Sequence, residues 1–455
     1  MAEVNYICKR TVVSTKPVQP GKSHPLSVLD RLVEPSRHVM VVYYYRTDRS
    51  RERLGEVTQK LREGLAEVLT YFPPVTGRLV RTESRGSGEG GWSVKCNDAG
   101  VRMVEARAKG SVEDWLRNVD WEKEKRLIHW EEMYHKPYFW STFYVQLTEF
   151  EGGGYAIGLS CSHLLSDPIC ATVLIKAWAD VTLRGKMTSP PLFHQLPAHR
   201  PGSRTPNKDP FINLCSQRPT STNQSATSSA SVHGKHKTIS LSFSDQMVRS
   251  CVASAQAHAG GPSPSPFEAL AGLIWAVVSK IKGRRDGLVG LTMGLDIRKL
   301  LGLDDGFFGN CMVYSQIQPN SEENCLLAAA MAIREEKAKF EKEKVMDLIE
   351  WLEDNDGSKP TQQTLACSDL LCLNLESIDP RWAIFEDGSS PIQTSLYIEP
   401  TCDRGQFLVL PSPSEDGPLS RTVMIKLPRD EADKLLEDDL ILQFAPTLMR
   451  NSKCL

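Results

Sequence analysis

The sequence predicts an α/β protein of two similar lobes joined by a long crossover, and three observations carry that prediction. The chain has 455 residues, too many for one ordinary hydrophobic core when domains run to roughly 100–200 residues each. Strand-like and helical patterns alternate on both sides of the middle of the chain. Between Lys186 and Gly234 the alternation collapses into scattered prolines, among them Pro190, Pro191, Pro206 and Pro210, and a polar run from Ser221 to Ser231. Such a segment cannot bury enough apolar surface to order itself, so it reads as an exposed, partly disordered linker. The expected boundaries are a first lobe over 1–185, a crossover over 186–236 and a second lobe over 237–455.

In the first lobe, Val39-Met40-Val41-Val42-Tyr43-Tyr44-Tyr45 is β-branched and aromatic, which suits a buried strand. A helix is predicted from about Leu54 to Tyr71, with Val57, Leu61, Leu65 and Val68 at helical spacing and Pro73-Pro74 as its stop. Strands follow at Gly91–Asn97 and Val101–Ala106. Phe143–Phe150 and Tyr155–Ser162 read as a hairpin across Glu151-Gly152-Gly153-Gly154.

The second lobe repeats this grammar. A strand over Lys237–Phe243 leads into a helix over Asp245–Ala257. Ser265-Pro266-Phe267-Glu268 opens another helix, with Ser265 as N-cap, Pro266 in the first helical position and Glu268 completing a capping box. One long charged helix is expected from Cys325 to Asp354, then strands near Asp369–Leu375, Thr394–Ile398, Gln406–Leu410 and Thr422–Leu427.

Composition excludes several function classes. With 54 basic and 56 acidic residues the formal charge is −2, which gives no electrostatic reason to expect nucleic acid or an anionic membrane as partner. No stretch approaches the roughly 20 apolar residues that span a bilayer. Met1 to Lys22 lacks the apolar block of a secretory signal, so the cytoplasm is the expected location. Twelve cysteines are scattered with no C-x-x-C pair, so neither a disulfide framework nor a metal site is expected.

One motif carries chemistry. The strand ending at Ser162 runs into His163-Leu164-Leu165-Ser166-Asp167. A histidine there can act as a general base, taking a proton from a hydroxyl or amine that attacks an acyl thioester. A short motif alone is a weak signal. His163 also keeps the phase of Tyr155, Ile157, Leu159 and Cys161, so a packed core histidine fits as well. Asp167 precedes Pro168 and a helical pattern from Ile169 to Leu183, which makes it an N-cap and not a relay carboxylate. Cys161 shares the strand face of His163, and a Cys–His couple is a lesser reading.

Context widens the picture. Leu26-Ser27-Val28-Leu29-Asp30, Tyr71-Phe72-Pro73-Pro74-Val75-Thr76-Gly77-Arg78-Leu79, His163 to Asp167, Phe267-Glu268-Ala269-Leu270 to Trp275, and Asp296-Ile297-Arg298 with Phe307-Phe308-Gly309-Asn310-Cys311 occur in that order. In these five markers the whole chain resembles the BAHD superfamily of plant acyl-CoA-dependent transferases. The resemblance implies two chloramphenicol-acetyltransferase-like lobes, each a mixed sheet with helices, with a tunnel between them and His163 at its middle. Acyl-CoA would enter as substrate from one face and the acceptor from the other, with no bound cofactor. It also implies structural roles for Asp167 and Arg298, with a salt bridge between them as an addition.

The departures are as informative. The family's Asp-Phe-Gly-Trp-Gly signature, before a Lys-Pro, falls due near Ile384–Pro391. Here the residues are Phe385-Glu386-Asp387-Gly388-Ser389-Ser390-Pro391, so Asp387, Gly388 and Pro391 mark a degenerate second signature. Lys95 to Ala106, Glu113-Asp114-Trp115-Leu116, Gln146 to Phe150 and Leu373 to Asp379 resemble the Eceriferum/Glossy branch of cuticular wax synthesis. That resemblance implies an accessory to a fatty-acid elongase condensing enzyme, promoting very-long-chain acyl elongation without needing the histidine. The chain would then be a monomer, peripheral at the cytosolic face of the endoplasmic reticulum. The alternative is an enzyme moving acyl groups other than amino-acyl groups from acyl-CoA to an alcohol or amine, with His163 as general base.

Overall fold

The computed structural model of the chain describes residues 4–16, 21–33, 35–47, 55–81, 91–117, 120–132, 139–197, 236–256, 263–283, 288–317, 325–354, 370–402, 404–412, 417–449 and 453–454. Residues 198–235 of the expected crossover, with Leu54, Ala257 and Asp369 at predicted element ends, lie outside the described residues. The fold is mixed α/β. It divides into two compact units, neither of them one contiguous run of sequence. The first comprises Met1–Pro197, Gly302–Cys311 and Asp379–Pro400; the second comprises Ala198–Leu301, Met312–Ile378 and Thr401–Leu455.

The first unit is built on a sheet of six described strands, in the order Val4–Val12, Val101–Ala108, Phe143–Phe150, Tyr155–Ser162, His38–Tyr45 and Gln393–Glu399. Val101–Ala108 and Phe143–Phe150 run parallel; the other pairs are antiparallel. Val39 to Tyr45 are all buried, as a β-branched and aromatic run demands when both sheet faces are covered. The hairpin over 143–162 pairs from Phe143↔Cys161 to Glu149↔Tyr155. A smaller sheet pairs Lys22–Pro25, Trp92–Cys96, Arg78–Arg81 and Phe139–Ser141.

Helix Pro168–Arg184 packs on one face of the larger sheet. Its Trp178 is fully buried and donates from Nε1 to the carbonyl of Leu61 at 2.9 Å. Phe385 sits edge-on to both Trp178 (5.1 Å between centroids) and Tyr45 (5.9 Å), and Tyr45 stacks on Tyr155 at 4.7 Å. Residues of the opposite parity face the other way, and there the segment around Trp121–Leu127 crosses the sheet. It is held by polar anchors: Tyr44 donates to Glu124 Oε1 at 2.7 Å, Tyr397 donates to Glu124 Oε2, and Gln146 donates to the carbonyl of Arg126 at 2.6 Å. Gly158 admits this crossing, because a Cβ there would lie 2.0 Å from the carbonyl oxygen of Leu127.

The second unit carries a sheet of eight described strands: Met312–Ile317, Leu291–Asp296, Leu370–Asn374, Gln406–Pro411, Arg421–Pro428, His236–Phe243, Thr447–Leu448 and Lys453–Cys454. Helix Pro266–Ile281 starts with the expected capping box between Ser265 and Glu268. The helix expected over 325–354 is instead two, Leu326–Ala338 and Lys342–Asp354. The first buries Leu326, Ala329, Ala330 and Ile333; the second buries Val345, Leu348, Ile349 and Leu352. Ile333 and Val345 are 12 positions apart, which at about 100° per residue turns the second stripe by roughly 120° from the first. One straight helix could not point both stripes at the same core. Among the described residues no helix is long and apolar enough to cross a membrane.

Replacing Gly158 by Ala therefore forces the Trp121–Leu127 crossing off the sheet. The expected cost is about 1–3 kcal/mol, as for overpacked cores, read as a lower midpoint in urea unfolding; an unchanged midpoint would contradict the packing described.

Candidate functional site

His163 follows directly on the strand Tyr155–Ser162 and is 1% exposed. Both of its peptide groups are held: its N–H donates to the carbonyl of Arg37 at 3.0 Å, and its own carbonyl accepts from Asn310 Nδ2 at 2.7 Å. The ring is not held this way, since neither Nδ1 nor Nε2 has a hydrogen-bond partner. Burial holds the ring well below its ordinary value, at about 4. Its own carbonyl, Asp167 and the Asn310 side chain lie near enough to favour the charged ring, although none meets hydrogen-bond geometry with it; Arg37 opposes protonation. The imidazole is thus neutral at physiological pH, with unspent proton-accepting capacity.

Asn310 is fixed in turn by Asp30. Oδ1 of that buried carboxylate accepts from Asn310 N at 3.1 Å and from Asn310 Nδ2 at 2.7 Å. Asp30 Oδ2 accepts from Ser27 N at 2.6 Å, while Ser27 Oγ accepts from Asp30 N at 3.1 Å, a capping box at the start of helix Val28–Arg31. Burial pushes the Asp30 carboxyl up to about 6, against the hydrogen bonds from Ser27 and Asn310 that favour its charged form.

The structure places Asp167 at the N-cap of helix Pro168–Arg184. Its Oδ1 accepts from Cys170 N at 2.9 Å, and its Oδ2 accepts from Cys311 N, also at 2.9 Å. The Cys170 thiol is bracketed by Gly309, accepting from its N–H at 3.1 Å and donating to its carbonyl at 3.3 Å. Phe308 packs among Phe72, Phe143 and Phe193, with centroids 5.4–6.1 Å away. Three sequence markers, Ser27–Asp30, His163–Asp167 and Phe307–Cys311, therefore meet in one buried cluster of the first unit.

The remaining marked residues lie elsewhere. Arg298 belongs to the second unit, where Nη1 pairs with Asp296 Oδ1 at 3.0 Å. Arg78 donates to the carbonyls of Gly77, Gly100 and Ala99 at 2.8 Å each, fixing the turn before Val101. In the degenerate signature, Asp387 and Gly388 are exposed on a turn closed by Ser389 N to the carbonyl of Glu386 at 3.0 Å, with Gly388 at φ +75°, while Phe385 and Pro391 are buried. The Cys161 thiol is pushed up to about 12, chiefly by burial, so it is no thiolate partner for His163. Sequence reasoning gave no site role to Asp30 or Asn310. The marker segments contained both, but only tertiary hydrogen bonds reveal what they hold. Among the described residues no group of three or more His, Cys, Asp or Glu is arranged to hold a metal.

Comparison with known proteins shows the family and the fold. The profile of the Transferase family matches residues 2–439. Rosmarinate synthase of Plectranthus scutellarioides is 28% identical over 419 residues, covering 90% of this chain and 93% of that protein. Protein ECERIFERUM 26-like of Arabidopsis thaliana is 24% identical over 453 residues, covering 93% and 92%. Among solved structures, vinorine synthase superposes with a TM-score of 0.68 at 18% identity, covering 98% of this chain and 100% of its own. TRI101 of F. sporotrichioides, complexed with coenzyme A and T-2, gives 0.71 at 16% identity, covering 92% and 98%. These likenesses establish the two-lobed acyltransferase architecture.

The two displaced groups of the cluster act on stability with opposite sign. His163 falls from 6.5 to about 4, so the unfolded chain takes up its proton first and the fold loses stability as pH drops from 6.5 toward 4. Asp30 rises from 3.8 to about 6, so the fold keeps its proton longer and loses stability as pH climbs from 3.8 toward 6. Each is worth roughly 3 kcal/mol, and between about pH 4 and 6 they nearly cancel. Thermal midpoints should therefore fall between pH 4.5 and 6 in His163→Phe relative to the parent, and rise over the same interval in Asp30→Asn. Parallel curves for all three proteins would refute the assignment.

Proposed function

Because the chain belongs to the Transferase family, the BAHD acyltransferases, we propose that it serves very-long-chain acyl elongation for cuticular wax as an accessory to an elongase condensing enzyme. The observation that carries this reading is the rebuilt segment Phe385–Pro391. Phe385 and Pro391 keep the segment anchored in the core, while the residues between them form an exposed turn without the family's Trp-Gly. A fold without its family's second signature fits a protein whose scaffold matters more than its chemistry. The likeness to the ECERIFERUM 26-like protein along more than nine-tenths of this chain supports the same branch. So does the state of His163: a tuned general base normally has a partner orienting its ring, and neither ring nitrogen has one here. In this reading the protein acts from the cytosolic face of the endoplasmic reticulum, through its partner.

A second reading has its own support. A neutral, buried histidine with both nitrogens unspent is chemically able to deprotonate an alcohol or amine, and the likeness to rosmarinate synthase spans most of the chain. Acyl-CoA would then be the donor and His163 the general base.

The two separate in yeast expressing a plant elongase condensing enzyme. The acyl-chain profile is compared for the condensing enzyme alone, with this chain, and with its His163→Ala variant. The accessory reading expects both versions to lengthen the products equally. Lengthening lost with the histidine would transfer support to the catalytic reading, and no lengthening by either would remove the elongase role.

A further inference from the structure

A base that serves a hydroxyl or amine from solution has to be reached by it, and His163 is 1% exposed. The segment 307–311 is held to the first unit by two different sets of partners. Asn310 and Cys311 rest on Asp30 and Asp167, and Gly309 brackets the Cys170 thiol. Phe307 and Phe308 rest instead on residues 190–196, which follow helix Pro168–Arg184 toward the crossover. Leu192 N donates to the carbonyl of Gly306 at 2.8 Å, and Phe308 N donates to the carbonyl of Leu192 at 2.9 Å, so Leu192 and Phe307 form a parallel bridge. Phe193 is wedged among Phe308, at 5.4 Å between centroids, and Phe72 and His24, at 6.0 Å each. His194 lies against Phe307 at 4.9 Å, and Leu196 is buried. Gly306 permits the close approach, because a Cβ there would lie 2.2 Å from the carbonyl oxygen of Pro190. One bridge and one half-buried ring, that of Phe193, make a lighter hold than a sheet register, and elements held this way are the ones that open locally.

We propose that residues 190–196 are a strap on the candidate site, whose release lets the segment 307–311 lift and so opens access to His163. Docked, the strap keeps that segment on its two carboxylates. Undocked, it leaves Phe307 and Phe308 without their backbone and ring partners there, and the strain passes along consecutive peptide groups to Gly309 and Asn310. Departure of Asn310 takes its amide from the His163 carbonyl. Departure of Gly309 takes away the N–H and carbonyl that bracket Cys170 Sγ, so the thiol is uncovered by the same motion. The strap goes beyond either reading of the function. In a working enzyme it would admit the acceptor, and in an accessory protein it keeps the histidine site shut.

The test is chemical labelling of the native full-length chain at pH 7, with adducts located by peptide mass. A neutral imidazole reacts with diethyl pyrocarbonate and a thiol with N-ethylmaleimide once solvent reaches them, and His163 and Cys170 are both buried in the docked state. Cys372, fully buried in the second unit, reports global unfolding in the same sample. Phe193→Ala, which removes the wedge, and Gly306→Ala, which pushes Pro190 away, should each raise labelling of His163 and Cys170 about tenfold, the factor given by a shift of about 1.4 kcal/mol in the opening equilibrium. Cys372 should keep the parent's rate, and Phe193→Leu replaces Phe193→Ala if the latter does not fold. Unchanged labelling of His163 overturns the proposal, whether or not Cys170 responds. A rise matched by Cys372, or reproduced by Gly158→Ala, overturns it too, since general loosening would then account for the effect.

Discussion

Two buried carboxylates, Asp30 and Asp167, bind the short segment Phe307–Cys311 to the first unit, and the candidate site depends on that binding. Asp30 takes the backbone and side-chain N–H groups of Asn310, across 280 positions of sequence. Asp167 takes the N–H of Cys311 across 144 positions while capping its own helix. Buried amides left unpaired cost about 1–3 kcal/mol each, so the segment cannot leave these carboxylates cheaply. The aromatic seat of Phe308 among Phe72, Phe143 and Phe193 adds an apolar hold to the polar one.

The same arrangement explains the condition of His163. Its backbone is fastened at both ends and its ring is buried, so the ring is placed without being charged. The neighbouring Asp167 carboxylate favours the charged ring, but burial outweighs it. Burial then dominates two ionisable members of the cluster and displaces them in opposite senses, His163 downward and Asp30 upward. Near neutral pH the cluster holds a neutral imidazole and a hydrogen-bonded carboxylate, a state that is chemically poised yet also stable as plain core.

Much of this was legible in the sequence where local pattern decides structure. Val39–Tyr45 reads as a buried strand because β-branched and aromatic residues fill both faces, and the hairpin over 143–162 follows from two such runs around three glycines. Asp167 reads as a cap because Pro168 and a helical stripe follow it. Pairings set by tertiary contact were not legible. Nothing local says that Gln393–Glu399 joins His38–Tyr45 rather than a neighbour in its own half. The break between Leu326–Ala338 and Lys342–Asp354 is visible only when the phases of the two apolar stripes are compared. The markers around Asp30 and Asn310 could be recognised by resemblance, but their meeting at His163 is a property of the fold.

On the proposed reading, an intact histidine site sits in a protein whose role does not need it. The most direct test of this reading is release of free CoA by the purified chain from a very-long-chain acyl-CoA, offered a panel of alcohols and amines, beside the His163→Ala variant. An accessory protein should give no acceptor-dependent release above that of the variant. Release that requires both an acceptor and His163 would contradict it and make the chain a working acyltransferase.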